Sequence, residues 1–281
     1  MTVRVRGLLS AASLLGLAVP AVAQTAGDPL PHASALPANL VYPVTERGDT
    51  VDTLFGEEVA DPYRWLEADV RSDPKVAQWV AAQNEVTQAY LATLPGRAWF
   101  KERISALMNY ERFGLPQKYG TRYFYTRNTG LQNQSPLYVQ DGHQGERRLL
   151  LDPNAWAKDG ATALSGWKPS PGGSKLLYMV QDGGTDWMTV RALDVATGQP
   201  LADEIRWAKF TALSWVGEEG FLYSRFPEPE QGKDFQSLNY DHTVYYHRLG
   251  TPQSEDQVVS RAPTTASEAT LHRSATTGAG L

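Results

Sequence analysis

The chain has 281 residues, of which 42% are hydrophobic and 10% aromatic, and 31 acidic against 26 basic side chains give it a formal net charge of −5. This is ample apolar material for a folded core, and no basic stripe exists that could neutralise nucleic-acid phosphates or an anionic membrane surface. Because the chain has no cysteine, disulfides, thiol nucleophiles and thiolate metal sites are excluded. We therefore expect a globular protein without a nucleic-acid or membrane partner.

The first residues predict an export signal. Arg4 and Arg6 are followed by an apolar run over residues 8–19 and by the small-residue sequence Ala21-Val22-Ala23. The alternative is a membrane anchor, but about 12 apolar residues form a helix of only about 18 Å, against a bilayer core of roughly 30 Å. The pattern favours a signal peptide over residues 1–23.

Cleavage of this signal would leave Gln24 as the mature N-terminus and predicts a periplasmic or secreted location. Residues 24–40 are rich in Ala, Pro and polar side chains without a period, which is typical of a flexible leader.

Two amphipathic helices are predicted within residues 41–109. Asp73 is a typical N-cap, Pro74 suits the first helical position, and apolar residues recur at helical spacing until Pro95-Gly96 ends the segment. The second helix has three apolar residues on one face: Phe100, Ile104 and Leu107. Each helix needs something to cover its apolar side.

From residue 110 the pattern changes to short β-strands, rich in aromatic and branched residues and separated by turn residues. One unit recurs, in which Leu164-Ser165-Gly166-Trp167 and Leu176-Leu177-Tyr178 are echoed by Leu213-Ser214-Trp215 and Phe221-Leu222-Tyr223. A weaker copy ends in Tyr123-Phe124-Tyr125. The copies lie roughly 45 to 55 residues apart, which is the length of a four-stranded propeller blade.

Residues 110–259 hold only about three such units, whereas closed propellers have roughly four to eight blades. The predicted fold class is therefore mainly β: an incomplete β-propeller preceded by a helical segment.

Five stretches of the sequence are distinctive: Tyr42-Pro43, Val59-Ala60-Asp61-Pro62-Tyr63-Arg64-Trp65-Leu66-Glu67, Gly130-Leu131-Gln132-Asn133-Gln134-Ser135, Leu151-Asp152-Pro153-Asn154 and Tyr245-Tyr246-His247-Arg248-Leu249-Gly250-Thr251. Together they resemble the N-terminal portion of the prolyl oligopeptidase family of serine peptidases, in order from about residue 42 to residue 259. The resemblance implies that the three blades belong to a ring of seven, and that residues 41–109 pack on a C-terminal α/β-hydrolase domain. It also implies that the propeller covers the active site as a substrate filter.

No catalytic residue is expected in this chain. A hydrolase-type serine peptidase carries its nucleophile in a Gly-x-Ser-x-Gly elbow. The nearest sequence, Gly172-Gly173-Ser174-Lys175-Leu176, lacks the last glycine and lies between two blade strands, so we interpret it as a turn. The sequence thus predicts no catalytic, cofactor-binding or metal site.

The remaining candidates for chemistry are interpreted as structural. His242, His247 and His272 are expected to be exposed blade or loop residues, and positions 242 and 247 of a strand would face opposite sides and could not share a metal. An acidic run lacks the spacing of a calcium loop and is interpreted as a solvated face: Glu57, Glu58, Asp61, Glu67 and Asp69. Three tryptophans on or beside the helices are interpreted as buried packing: Trp65, Trp79 and Trp99.

The amide-rich stretch at residues 130–135 has two possible roles. Its side chains could knit a turn or face a substrate tunnel, and we favour the turn.

Three functions remain open. The first is the N-terminal fragment of an exported serine endopeptidase that cleaves short peptides after proline without cofactor or metal. In that case, short proline-containing peptides and the hydrolase domain are the partners, and this chain by itself is inactive. The second is a periplasmic binding or scaffold propeller without catalysis. The third is a sister peptidase with another preference, such as cleavage after basic residues.

Residues 260–281 abandon the blade pattern and contain almost no large apolar residue. We expect this tail to be disordered and non-native, the result of a frameshift or premature truncation.

Overall fold

The computed structural model describes residues 40–158 and 160–261. It begins with a β-hairpin of β1 (Val51–Leu54) and β2 (Glu57–Ala60), followed by a 3-10 turn at Arg64–Glu67. The predicted signal peptide, the leader up to residue 39 and the tail from residue 262, with His272, lie outside the described residues. No helix in the described part of the chain is long and apolar enough to cross a membrane.

The two predicted helices are present as α1 (Pro74–Thr93) and α2 (Arg97–Met108). Asp73 caps α1 as predicted, because its carboxylate accepts hydrogen bonds from the backbone N–H groups of Lys75 and Val76 at 2.8 and 3.1 Å. This carboxylate satisfies donors at the helix start that have no partner inside the helix.

The apolar side of α1 is partly covered in the described chain, whereas that of α2 is exposed. Val76 is buried in α1, and no residue of α2, which is described along its whole length, is buried. Trp65 and Trp79 pack edge to face with ring centroids 6.4 Å apart and are half-buried. The expectation of burial was wrong for Trp99, which is 42% exposed and packs its ring edge to face on Phe100.

The strands form three antiparallel blades. Blade 1 consists of β3 (Arg112–Phe113), β4 (Gln117–Tyr119), β5 (Arg122–Asn128), β6 (Leu137–Asp141) and β7 (Arg147–Leu151). Blade 2 consists of β8 (Ala163–Pro169), β9 (Lys175–Gln181), β10 (Met188–Asp194) and β11 (Pro200–Ala208). Blade 3 consists of β12 (Ser214–Val216), β13 (Gly220–Arg225), β14 (Thr243–Arg248) and β15 (Gln257–Arg261).

In blade 1 the innermost strand is split. β4 pairs with residues 122–124 of β5 and β3 pairs with residues 127–128 of the same strand. Blades 2 and 3 touch edge to edge at the bridge Ala208–Arg225, and the sheets do not close into a barrel. The structure therefore confirms the predicted repeat, and its last strand ends at Arg261 rather than at residue 259.

Two apolar layers hold the blades face to face. Leu176 and Tyr178 of β9 lie in the layer against blade 1, where Phe124 is fully buried, whereas Leu177 lies in the layer against Phe221 of blade 3. Successive side chains of a strand point to opposite faces, so a central blade buries both. This explains why β9 reads as a continuous apolar run rather than as an alternating one.

Hydrogen bonds between neighbouring blades recur at one sequence separation. Five pairs of residues each lie 47 positions apart: Arg148–Val195, Lys168–Trp215, Trp187–Asp234, Asp203–Gly250 and Arg206–Gln253. The loops after the second strands of blades 2 and 3 also reach the N-terminal segment. Asp182 accepts from Arg71 at 2.7 Å, and Gln236 donates to the backbone oxygen of Glu67 at 2.9 Å.

Candidate functional site

Residues 172–174 of the serine-containing sequence lie in the turn between β8 and β9, as predicted, and Lys175 and Leu176 begin β9. Gly173 has φ +70°, and a Cβ there would meet the backbone oxygen of Tyr119 at 2.6 Å. The Ser174 hydroxyl donates to Glu218 at 2.7 Å, and the N–H of Gly172 donates to the same carboxylate at 2.5 Å. The Ser174 hydroxyl thus donates to a carboxylate and not to the imidazole base that activates a serine nucleophile.

His247 is fully buried, so the expectation of an exposed histidine was wrong. Its Nδ1 lies 2.6 Å from Asp256 and its Nε2 lies 3.0 Å from Asp203, and both carboxylates are themselves buried. Since carboxylates only accept hydrogen bonds, both ring nitrogens must donate, which requires the imidazolium form. Burial lowers the pKa of His247, but the hydrogen bonds to Asp256 and Asp203 outweigh burial and hold the pKa above its usual value.

Two further groups complete this buried cluster. Tyr223 donates its hydroxyl proton to Asp256 at 2.6 Å, and burial followed by this hydrogen bond raises the pKa of Tyr223. The N–H of Gly250 donates to Asp203 at 2.5 Å. Asp203 lies on β11 and His247 on β14, so the cluster joins blades 2 and 3.

His242 lies in a loop, as the prediction allowed, but it is not fully exposed. It precedes β14, is half-buried and stacks on Phe226 with ring centroids 4.4 Å apart. Among residues 40–158 and 160–261 there is no group of three or more His, Asp and Glu side chains that could hold a metal ion.

The acidic run is only partly a solvated face. Arg64 pairs with both Asp61 and Asp52, which fastens the turn at Arg64–Glu67 to strand β1. Hydrogen bonds from Arg71 to Asp69 lower the pKa of that carboxyl group. Asp61 and Asp69 of the run therefore help to hold the N-terminal segment together, which the acidic composition alone did not reveal.

The amide-rich loop at residues 130–135 knits its own turn, as favoured. The Asn128 side chain donates to the backbone oxygen of Gln132 at 3.0 Å, and the Gln132 side chain accepts from the N–H of Thr129 at 2.8 Å. The backbone of Gln134 exchanges two hydrogen bonds with the Asn154 side chain, at 2.9 and 3.1 Å. These bonds hold the loop between β5 and β6.

The same loop also forms one wall of a groove of about 470 Å³ between blades 1 and 2. Its polar lining comes from three amides and three hydroxyls: Gln117, Asn133, Gln134, Thr126, Ser135 and Ser165. Its apolar lining comes from Leu164 and Trp167 of β8. The two predicted roles of the loop are thus not exclusive, because the turn presents residues 133–135 to a cavity.

Both blades are irregular at this groove. In β8, Leu164 pairs with Val180 and Gly166 with Met179, so Ser165 is an extra residue in a β-bulge. In blade 1 the break between β3 and β4 lies beside Thr126. The backbone at Gly166 packs closely on Met179, because a Cβ at this position would lie 2.5 Å from the Met179 methyl group.

Comparison of this sequence with known protein families identifies the family to which the chain belongs. The family described as "Prolyl oligopeptidase, N-terminal beta-propeller domain" matches residues 43–277. The chain belongs to the prolyl oligopeptidase family. The match includes the helical segment and continues to residue 277, beyond residue 259, at which the predicted resemblance ends.

Individual prolyl oligopeptidase relatives agree. The prolyl endopeptidase of Elizabethkingia meningoseptica is 38% identical over 220 residues, which are 78% of this chain and 31% of the relative. A structure from a study of two prolyl endopeptidases and their inter-domain dynamics is 52% identical, with a TM-score of 0.51 over 79% of this chain and 31% of that one.

A structure of prolyl oligopeptidase B from Galerina marginata, bound to a 35mer hydrolysis and macrocyclization substrate, is 32% identical, with a TM-score of 0.61. It is matched over 79% of this chain and 34% of that one. The chain therefore spans about a third of the length of its prolyl oligopeptidase relatives, and the matched part is their N-terminal propeller portion.

Proposed function

We propose that this chain is the propeller part of an exported serine endopeptidase, in which it admits short unfolded peptides to a hydrolase domain that cleaves after proline. The match of residues 43–277 to the propeller domain of the prolyl oligopeptidase family carries this proposal. Relatives at 38% identity are named prolyl endopeptidases, which supports the substrate class.

The N-terminal segment supports a hydrolase partner. In α2, the exposed fractions of Phe100, Ile104 and Leu107 are 48%, 56% and 55%. An amphipathic helix whose apolar side has no cover in its own fold is suited to pack on another domain.

A chimera tests the role of the propeller. Residues 43–261 of this chain would replace the matching portion of the Elizabethkingia meningoseptica prolyl endopeptidase. We expect the chimera to cleave a short proline-containing chromogenic peptide and to leave a folded protein intact, whereas the 281-residue chain by itself cleaves neither, because its sequence contains no nucleophile elbow.

The unaltered relative is the positive control for the chimera. A folded chimera that lacks proline-specific cleavage would contradict the proposal and favour a non-catalytic binding propeller. A folded chimera that digests proteins as readily as peptides would contradict the filtering role alone.

Export is tested separately. We expect protein recovered from the periplasm to begin at Gln24, because the cleavage box Ala21-Val22-Ala23 precedes that residue. N-terminal sequencing that returns an intact Met1 from the cytosol would contradict export without touching the proposed peptidase role.

A further inference from the structure

The groove between blades 1 and 2 has a uniform chemistry. None of the described residues that line it carries a charge, and its six polar residues have amide and hydroxyl side chains, which include both donors and acceptors. Phosphate or carboxylate ligands would call for Arg or Lys, which are absent from this lining. Neutral amides and hydroxyls instead match the N–H and C=O groups of a peptide main chain.

The innermost strands of the two blades supply part of the groove lining. Gln117 belongs to β4, and residues 164–167 belong to β8, which are the innermost strands of their blades. The bulge at Ser165 and the break beside Thr126 interrupt the regular ladders at the groove. Bulges of this kind re-aim side chains and end pairing, and they are over-represented beside functional sites.

Trp167 gives the groove an aromatic wall that is held in place. Its ring lies 6.4 Å from that of Phe124, and it packs against the layer between blades 1 and 2. Aromatic walls are how proteins recognise proline-containing segments, whose extended polyproline II form is preorganised before binding. The volume of about 470 Å³ falls in the usual range for ligand sites, roughly 300–1,000 Å³.

We infer that this groove binds an extended, uncharged, proline-containing peptide segment through its main chain. The biological role of the site, as a contact for substrate residues away from the bond that is cut, rests on the proposed function. Gln117 and Asn133 supply side-chain contacts from two sides, and Trp167 packs against the proline ring.

Direct binding to the full 281-residue chain tests the inference. The probe is a capped octapeptide with two prolines and no charged side chain, titrated by NMR. We expect saturable binding that Gln117→Ala and Asn133→Ala each weaken at least fivefold. The same peptide with two Asp residues should bind more weakly, because none of the described lining residues is a cation that could pair with them.

Two variants on helix α1 are matched controls. Asn84→Ala and Gln88→Ala remove the same side-chain types from exposed helical positions and should leave the affinity unchanged. Unchanged melting temperatures would confirm that all four variants are folded. Absence of binding up to several millimolar, or binding that neither Gln117→Ala nor Asn133→Ala weakens, overturns the inference.

The outcome is separable from that of the chimera. An active chimera together with no peptide binding to this chain would reject the groove and retain the peptidase role. Peptide binding that depends on Asn133, together with an inactive folded chimera, would retain the groove and reject the peptidase role.

Discussion

His247 lies buried between two buried carboxylates, whose hydrogen bonds raise its pKa and so favour the imidazolium form. Removing charges from water costs several kcal/mol per ion, and only good geometry and full hydrogen bonding repay it. Both conditions are met, because each ring nitrogen has its own carboxylate, at 2.6 and 3.0 Å, and each carboxylate has a further donor in Tyr223 or Gly250. The cluster is therefore a charged tie between blades 2 and 3.

The raised pKa of His247 predicts how stability depends on pH. A histidine whose pKa is higher in the folded than in the unfolded chain stabilises the fold fully below the unfolded value, 6.5, and loses this effect as pH rises through the folded pKa. We expect the free energy of unfolding, measured by urea denaturation, to fall as pH rises above about 6.5.

Replacing the histidine tests this at the same residue. His247→Gln leaves Asp203 and Asp256 buried without a counter-charge and should cost about 3–5 kcal/mol at neutral pH. It should also flatten the pH dependence above 6.5. His143→Gln, at an exposed turn, is the control and should keep the wild-type profile. A wild-type stability that does not change between pH 6 and 9 would contradict the charged form of His247.

At the scale of elements, the turn between β8 and β9 is held from both neighbouring blades. Arg122 of blade 1 donates to the backbone oxygen of Gly173 at 2.8 Å. Glu218, which follows β12 of blade 3, accepts from Gly172 and Ser174 on the other side. Blade 2 is thus fixed at its turn as well as through its two apolar faces.

Glu218→Ala should destabilise the chain by about 1–2 kcal/mol, because two donors of the turn lose an ionised acceptor that is partly exposed to water. The adjacent variant Glu219→Ala removes an exposed carboxylate of the same kind and should change stability by less than about 0.5 kcal/mol. Urea denaturation of both variants measures the difference. Equal effects for the two would show that the hydrogen bonds from Gly172 and Ser174 to Glu218 contribute nothing to stability.

Local patterns predicted most of these elements. The start of α1 follows from Asp73 and Pro74, and the blades follow from the recurrence of aromatic strand pairs, because both signals lie within a few residues of one another. The turn between β8 and β9 was likewise predictable from Gly172 and Gly173.

The burial of His247 was not predictable in this way. Its partners lie 9 and 44 positions away along the chain, Asp256 just before β15 and Asp203 on β11, and no local period reveals which distant carboxylate will meet a strand histidine. The groove was not predicted from the sequence for the same reason. The loop at residues 130–135 was singled out, whereas Gln117 and Ser165 join it only through the packing of two blades.

At the scale of the whole molecule, the described chain exposes several apolar surfaces. The face of α2 is one, and the outer strand of blade 3 is another, with Val258 and Val259 at 46% and 55% exposure. Large apolar patches and free strand edges favour association. We expect the purified 281-residue chain to self-associate at micromolar concentrations, as seen by light scattering.

A charge-matched pair of double variants tests the contribution of α2. Ile104→Lys with Leu107→Lys places two positive charges on the apolar face and should lower the apparent mass. Glu102→Gln with Ala106→Lys makes the same change in net charge on the other side of the helix and should not. A monodisperse monomer for the wild-type chain would contradict the prediction.

Five hydrogen-bonded pairs between neighbouring blades share a separation of 47 residues, and this recurrence bears on how the chain folds. Closing a loop costs entropy that depends on its length, so each blade docks on the one before it at nearly the same cost. Chains are synthesised from the N-terminus, and units that contact only their neighbours can add in that order. We therefore expect the blades to dock one after another, from blade 1 to blade 3, as the chain leaves the ribosome.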